Sequence, residues 1–149
     1  MSAKHPRRKE RPGVDGAGRT ALHYAAGAYD VRQVEQLLES GIKPDSPDDD
    51  GWTPLHFAAQ GNASVVMTML LDAGAPVDAR DRHGNTPLST AVFNSRGDGE
   101  VIALLRRRGA DPYARNNHGV SPVKLARTIG NYDVRQFFSD LPDDSDRQS

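Results

Sequence analysis

One stretch, Thr53-Pro54-Leu55-His56-Phe57-Ala58-Ala59, returns at a fixed distance along the chain, and that recurrence limits the fold more than any other feature. Thr20-Ala21-Leu22-His23-Tyr24-Ala25-Ala26 lies upstream, and Thr86-Pro87-Leu88-Ser89-Thr90-Ala91 lies the same distance downstream. Ser121-Pro122-Val123-Lys124-Leu125-Ala126 follows at a slightly longer interval. Thr53 has the chemistry of a helix N-cap, its hydroxyl accepting from an orphan backbone N–H. Pro54 suits the first helical position, where no N–H is needed and a fixed φ helps. Leu55, Ala58 and Ala59 share one helical face, and the alanines leave room for a neighbouring backbone. A period of about 33 residues predicts a stack of like units.

Each copy carries a second apolar patch at helical spacing: Val31, Val34, Leu37 and Leu38; Val65, Val66, Met69, Leu70 and Leu71; Val101, Ile102, Leu104 and Leu105; Val134, Phe137 and Phe138. Gly41, Gly74 and Gly109 follow three of these patches, where a left-handed residue ends a helix. Gly18, Gly51, Gly84 and Gly119 stand two residues before each cap and mark turns. Asp15, Asp48, Asp81 and Asn116 open the turns and should hydrogen-bond the local backbone. The unit is therefore turn, helix, short loop, helix, and an arm to the next turn.

The motif Asp48-x-x-Gly51-x-Thr53-Pro54-Leu55-His56, with Leu70-Leu71-x-x-Gly74-Ala75, resembles the ankyrin repeat over residues 15–141. The resemblance implies an all-α solenoid: stacked helix-turn-helix pairs with β-hairpin-like fingers at right angles to them. It also implies that His23 and His56 bond locally and brace adjoining units, and that the job is binding another protein. Four units are expected, at 15–47, 48–80, 81–115 and 116–141, between a basic arm at 1–14 and an acidic tail at 142–149.

Composition narrows the alternatives. The formal net charge is −1, so no overall charge directs the chain to nucleic acid. There are no cysteines, which removes disulfide and thiolate chemistry. No uncharged apolar run reaches the ~18 residues of a membrane span. The first residues are basic without an apolar core, unlike a secretory signal. A cytoplasmic monomer is expected, with no cofactor, no metal and no membrane.

Departures from the motif mark the ends and the specialised units. Residues 1–14 hold Lys4, Arg7, Arg8, Lys9 and Arg11 with little to bury; they read as a solubilising arm, with a nucleic-acid arm as the functional alternative. Unit 1 has Ala21 in place of proline and a polar second-helix face of Arg32, Gln33, Glu35 and Gln36, as a terminal unit needs. In unit 2, the acidic run around Asp48 mimics a calcium loop, but its twelfth position is Phe57 rather than a bidentate glutamate, so calcium is rejected. Unit 3 has two extra residues within Phe93–Gly99, read as a flexible loop. Arg106, Arg107 and Arg108 suit a helix C-terminus. Unit 4 reads as a cap, with Lys124 for the histidine, Arg135 at an apolar position, Asn131 as N-cap of the last helix, and a frayed tail beyond Leu141.

No catalytic pattern is present, and a non-catalytic protein-binding module is the expectation. His83 and His118 recur on neighbouring fingers, but without carboxylate or thiolate company they make a poor metal site. Carrying the family's concave face onto this chain gives the partner-binding candidates Arg19, Asp49, Asp50, Trp52, Arg80, Arg82, His83, Asn85, Phe93, Arg115, Asn117 and His118. Gln60, Gly61, Asn94, Thr128 and Ile129 are expected beside the groove, and Val120 on the last finger. Trp52 is either packed on the next finger or offered to the partner. Finger 2 is acidic, while fingers 3 and 4 are basic or imidazole-bearing. A narrower alternative is a small cytosolic inhibitor or immunity protein that neutralises a toxin or an enzyme.

Overall fold

A computed structural model describes residues 12–130 and 132–142. Seven short α-helices and one 3-10 helix are found among them, and no strand. They run α1 (Ala21–Gly27), α2 (Val31–Glu39), α3 (Pro54–Gln60), α4 (Ser64–Asp72), α5 (Pro87–Asn94), α6 (Glu100–Arg107) and α7 (Pro122–Thr128), then the 3-10 helix Val134–Phe138. The inner helices α1, α3, α5 and α7 form one row and the outer helices α2, α4 and α6 a second. Among the described residues no helix is long and apolar enough to cross a membrane.

None of these helices would persist alone, because isolated helices shorter than about 12–15 residues are marginal in water. Stacking supplies what local propensity cannot. Leu22, Leu55, Leu88 and Val123 occupy the same place in successive units, and each is fully buried. Ala25, Ala58, Ala91 and Ala126 sit one turn on and are also buried, letting inner helices approach closely. On the outer row Val34, Met67 and Ile102 form a matching buried line, and Leu70, Leu105 and Phe138 another. Each of these leucine, valine, isoleucine, methionine and phenylalanine side chains contributes about 1.5–3 kcal/mol relative to exposure.

The fingers are tight turns, each closed by the same bonds. In finger 2, Asp48 N–H donates to the Trp52 carbonyl at 2.8 Å, and Asp48 Oδ1 accepts from the N–H groups of Asp50 and Trp52 at 2.9 and 2.8 Å. Asp15, Asp81 and Asn116 repeat the side-chain pattern. Neighbouring fingers join through single backbone bonds: Asp49 N–H to Ala17, Arg82 N–H to Asp50 and Asn117 N–H to His83, all 2.8–2.9 Å. One bond per junction makes a hairpin-like finger without a β-ladder.

At the two ends of the stack the structure differs from the sequence reading in three respects. Arg32, Gln33, Glu35 and Gln36 are exposed on α2, as are Lys124 and Arg135 in unit 4. The last helix is 3-10 rather than α, and Asp133 precedes it without a side-chain cap bond. Asn131, the expected cap, lies outside the described residues, as do residues 1–11 of the arm and 143–149 of the tail. The arginines of α6 do more than balance a helix dipole. Arg106 forms a bidentate pair with Asp140 at 2.9 and 2.7 Å and donates to the Phe137 carbonyl at 2.9 Å, tying the short last helix to unit 3. Arg108 pairs with Asp72 of unit 2 at 2.6 Å. Pro142, where fraying was expected to start, is held through its carbonyl by the Tyr113 hydroxyl at 3.0 Å.

The loop after α5 is also pinned. Asn62 donates to Asp98 at 2.7 Å, and Gly99 lies directly against the Phe137 ring, which a Cβ there would displace.

Two kinds of glycine can be told apart by substitution. Gly51 and Gly74 both hold a left-handed φ, +79° and +98°. A Cβ on Gly51 would lie 3.0 Å from the backbone of Asp81 and Arg82, whereas one on Gly74 would meet open space. Gly74→Ala should cost only the conformational penalty of about 1–2 kcal/mol. Gly51→Ala should cost clearly more, read from the urea midpoints of the two variants.

Candidate functional site: a groove between fingers and inner helices

The site begins with two buried imidazoles. His56 occupies the third position of α3 and closes a capping box with Thr53. Its Nδ1 accepts from the Thr53 N–H at 3.2 Å and lies 3.0 Å from the Thr53 hydroxyl. That leaves the proton on Nε2, which donates to the Asn85 carbonyl of the next finger at 3.0 Å. His23 repeats the arrangement, reaching the Trp52 carbonyl at 2.9 Å. The bracing role implied for these residues is therefore met by one tautomer with both ring nitrogens engaged. In units 3 and 4, Ser89 and Lys124 replace the histidine, and the Thr86 and Ser121 hydroxyls accept from their backbone N–H groups at 3.4 and 3.1 Å.

Around the first two units the finger side chains pack on one another and on the inner helices. The Trp52 ring stands edge-on to Phe57 at 5.3 Å and tilts over His56 at 5.6 Å, and its Nε1 donates to Asp81 Oδ2 at 3.1 Å. Arg19 pairs with Asp48 at 3.3 Å and lies 5.2 Å above the Phe57 ring. Both residues, candidates for partner contact in the sequence, are half-buried and hold the fold together. For Trp52 the packing alternative is realised, with part of the ring still open.

Between units 2 and 4 the packing opens into a groove of about 420 Å3. Its walls are Trp52 and Phe93 together with Val120 and Leu125; Asn85, Asn116 and His118 overhang it from the fingers, and Gln60 and Asn94 lie along the helices. Ser89 and Thr90 form its lining where unit 2 has His56 and Phe57, so the cavity follows from replacing two rings by two small side chains. Phe93 is 73% exposed, the most open of the large apolar residues among those described. A second cleft of about 480 Å3 adjoins it around Arg19, Asp50, Arg82 and His83.

The other candidates divide between tip and scaffold. Asp49, Asp50, Arg80, Arg82, His83, Arg115, Asn117 and His118 are exposed on the fingers. Arg82 pairs with Asp50 at 3.1 Å, both well exposed. Arg80 Nη1 donates to the Arg115 carbonyl at 2.6 Å, and Asn117 Nδ2 donates to the Arg82 carbonyl at 3.0 Å. Asn85 joins fingers, accepting from Asn116 Nδ2 at 2.9 Å. Thr128 and Ile129, expected beside the groove, are not part of its lining; α7 ends at Thr128 beyond the groove wall. The lining residues that the sequence reading passed over are Asp81, Ser89, Thr90, Asn116 and Leu125. Ser89 and Thr90 were signalled by their departure from the His-aromatic pair at that place in the motif.

Such an assembly of helix pairs, with fingers and inner helices framing an open concave surface, defines a helical repeat solenoid. The family model for ankyrin repeats, three copies, matches residues 22–116, and the chain belongs to that family. The match ends where unit 4 begins; there α7 stacks on α5 as the earlier inner helices stack on one another. Ankyrin repeats generally mediate binding to other proteins. No curated protein matches the chain.

Burial holds both His23 and His56 below the ordinary imidazole range, opposed by their carbonyl partners and nearby carboxylates. The unfolded chain therefore takes up protons first, and stability falls as pH drops below about 6.5 toward the lowered folded values. His23→Gln with His56→Gln keeps a capping-box acceptor but loses the bridge to the next finger. Each replacement should cost about 1–3 kcal/mol at neutral pH. Thermal melts of the double variant should lose the part of the pH slope that begins near 6.5.

Proposed function

We propose that this chain is a non-catalytic module that binds a partner protein through the groove between fingers 3 and 4 and the inner helices α3, α5 and α7. The observation that carries the reading is Phe93: a large aromatic left open to solvent at the edge of a preformed groove, on a helix whose other residues are buried or half-buried. Exposed aromatics in pockets are the usual anchors of protein interfaces. The neighbouring packing supports a rigid site, because His56 and Asn116 fix Asn85 from both sides. A pre-ordered surface loses little entropy on binding. The non-catalytic part of the reading is supported by the engagement of His23 and His56, whose ring nitrogens are all in structural bonds.

Affinity capture from the native host with the wild-type chain and with Phe93→Glu tests this. Phe93 is exposed, so the substitution should leave the far-ultraviolet circular dichroism and melting temperature nearly unchanged. Proteins retained by the wild type should be lost by the variant. Retention of the same proteins at the same level by both would remove the groove from the interface.

A further inference from the structure

The groove is neutral inside and positively rimmed, and that combination selects among occupants. Asp81 is the one carboxylate among the described residues that line it. Its charge is turned inward: Oδ1 accepts the N–H groups of His83 and Asn85 at 2.8 and 2.9 Å, and Oδ2 accepts Trp52 Nε1 at 3.1 Å. Only 8% of Asp81 is exposed, so an entering ligand meets no anionic oxygen there. Arg80 and Arg115 are exposed where they lead into fingers 3 and 4, and Arg82 is exposed on finger 3, where it lines the adjoining cleft. The acidic tips Asp49 and Asp50 belong to the preceding finger, and Asp50 is paired with Arg82. That pair is well exposed on both sides, so it is weak and easily exchanged for another carboxylate. On the loop side, the Asp98 carboxylate accepts from Asn62 at 2.7 Å and from the Glu100 N–H at 3.0 Å.

Resting on the groove reading above, we propose that the occupant is an extended segment of another protein in which an apolar side chain is flanked by aspartate or glutamate. The apolar side chain enters between Trp52 and Phe93. The Asn85, Asn94 and Gln60 carboxamides can each donate and accept, which suits the main chain of an extended peptide. The flanking carboxylates meet the guanidinium group of Arg82, which lines the cleft adjoining the groove and whose fork geometry fits them. A basic segment would be repelled by the same tips, so the rim excludes as well as attracts.

The test uses a displayed library of random peptides panned on the full chain, followed by titration of the enriched peptides. The chain holds one tryptophan, so emission from Trp52 reports entry into the groove directly. Enriched peptides should carry an apolar residue beside Asp or Glu, shift Trp52 emission, and lose binding to Phe93→Glu. Exchanging their carboxylates for amides, or Arg82 for Gln, should weaken binding about tenfold at low salt and much less at high salt. Peptides without carboxylates that still fail on Phe93→Glu would overturn the acidic occupant while leaving the groove reading intact. Peptides that bind Phe93→Glu as well as wild type would overturn both.

Discussion

The bond from a buried imidazole to the next unit's finger sets the spacing on which the rest of the molecule depends. Nε2 of His23 reaches Trp52 and Nε2 of His56 reaches Asn85, each crossing from one unit to the next. A helix as short as α3 cannot fix its own position. Units 1 to 3 are instead held by their neighbours at three depths: the leucine and alanine layer of the inner helices, the imidazole bridge, and the backbone bond between fingers. Because each contact runs only to the adjacent unit, stability adds up along the stack.

The groove opens where that regularity is broken. The junction of units 1 and 2 contains His23 and the Phe57 ring, and Trp52 of finger 2 and Arg19 of finger 1 close over Phe57. At the third unit Ser89 and Thr90 stand in those places, and the volume they leave becomes part of the groove. The loss of the imidazole bridge there is offset by amide and guanidinium bonds on the fingers: Asn116 to Asn85, Asn117 to the Arg82 carbonyl, and Arg80 to the Arg115 carbonyl. Those bonds lie at the finger level, above the cavity, so the junction stays closed at its edge and open beneath. Unit 4 is then fastened from the outer row by Arg106, which reaches across to Asp140 and Phe137.

The inner helices, their Thr and Ser caps, the left-handed glycines and the turn residues were legible from the motif, because each depends on residues within one unit. The candidate surface was legible only in part. Arg19 and Trp52 sit on the fingers as expected, yet bonds to carboxylates in the following unit, together with the Phe57 ring, turn them into scaffold. Arg106, read locally as a balance for the α6 dipole, proved to clamp the last helix. The last helix tightened to 3-10, since only the short segment Val134–Phe138 forms it against α7.

The sequence by itself determined the unit, its period, the order of its elements and the family, since a repeated pattern of caps, apolar faces and glycines acts over a few residues at a time. It also determined which positions are free of the motif, and so which could differ from unit to unit. Tertiary structure decided which of those positions stay open to solvent and which face a neighbour. That depends on the size and reach of side chains in the adjoining units: a ring at Phe57 fills the space that a hydroxyl at Thr90 leaves open. No local pattern carries that difference, because it exists only once two units are set side by side.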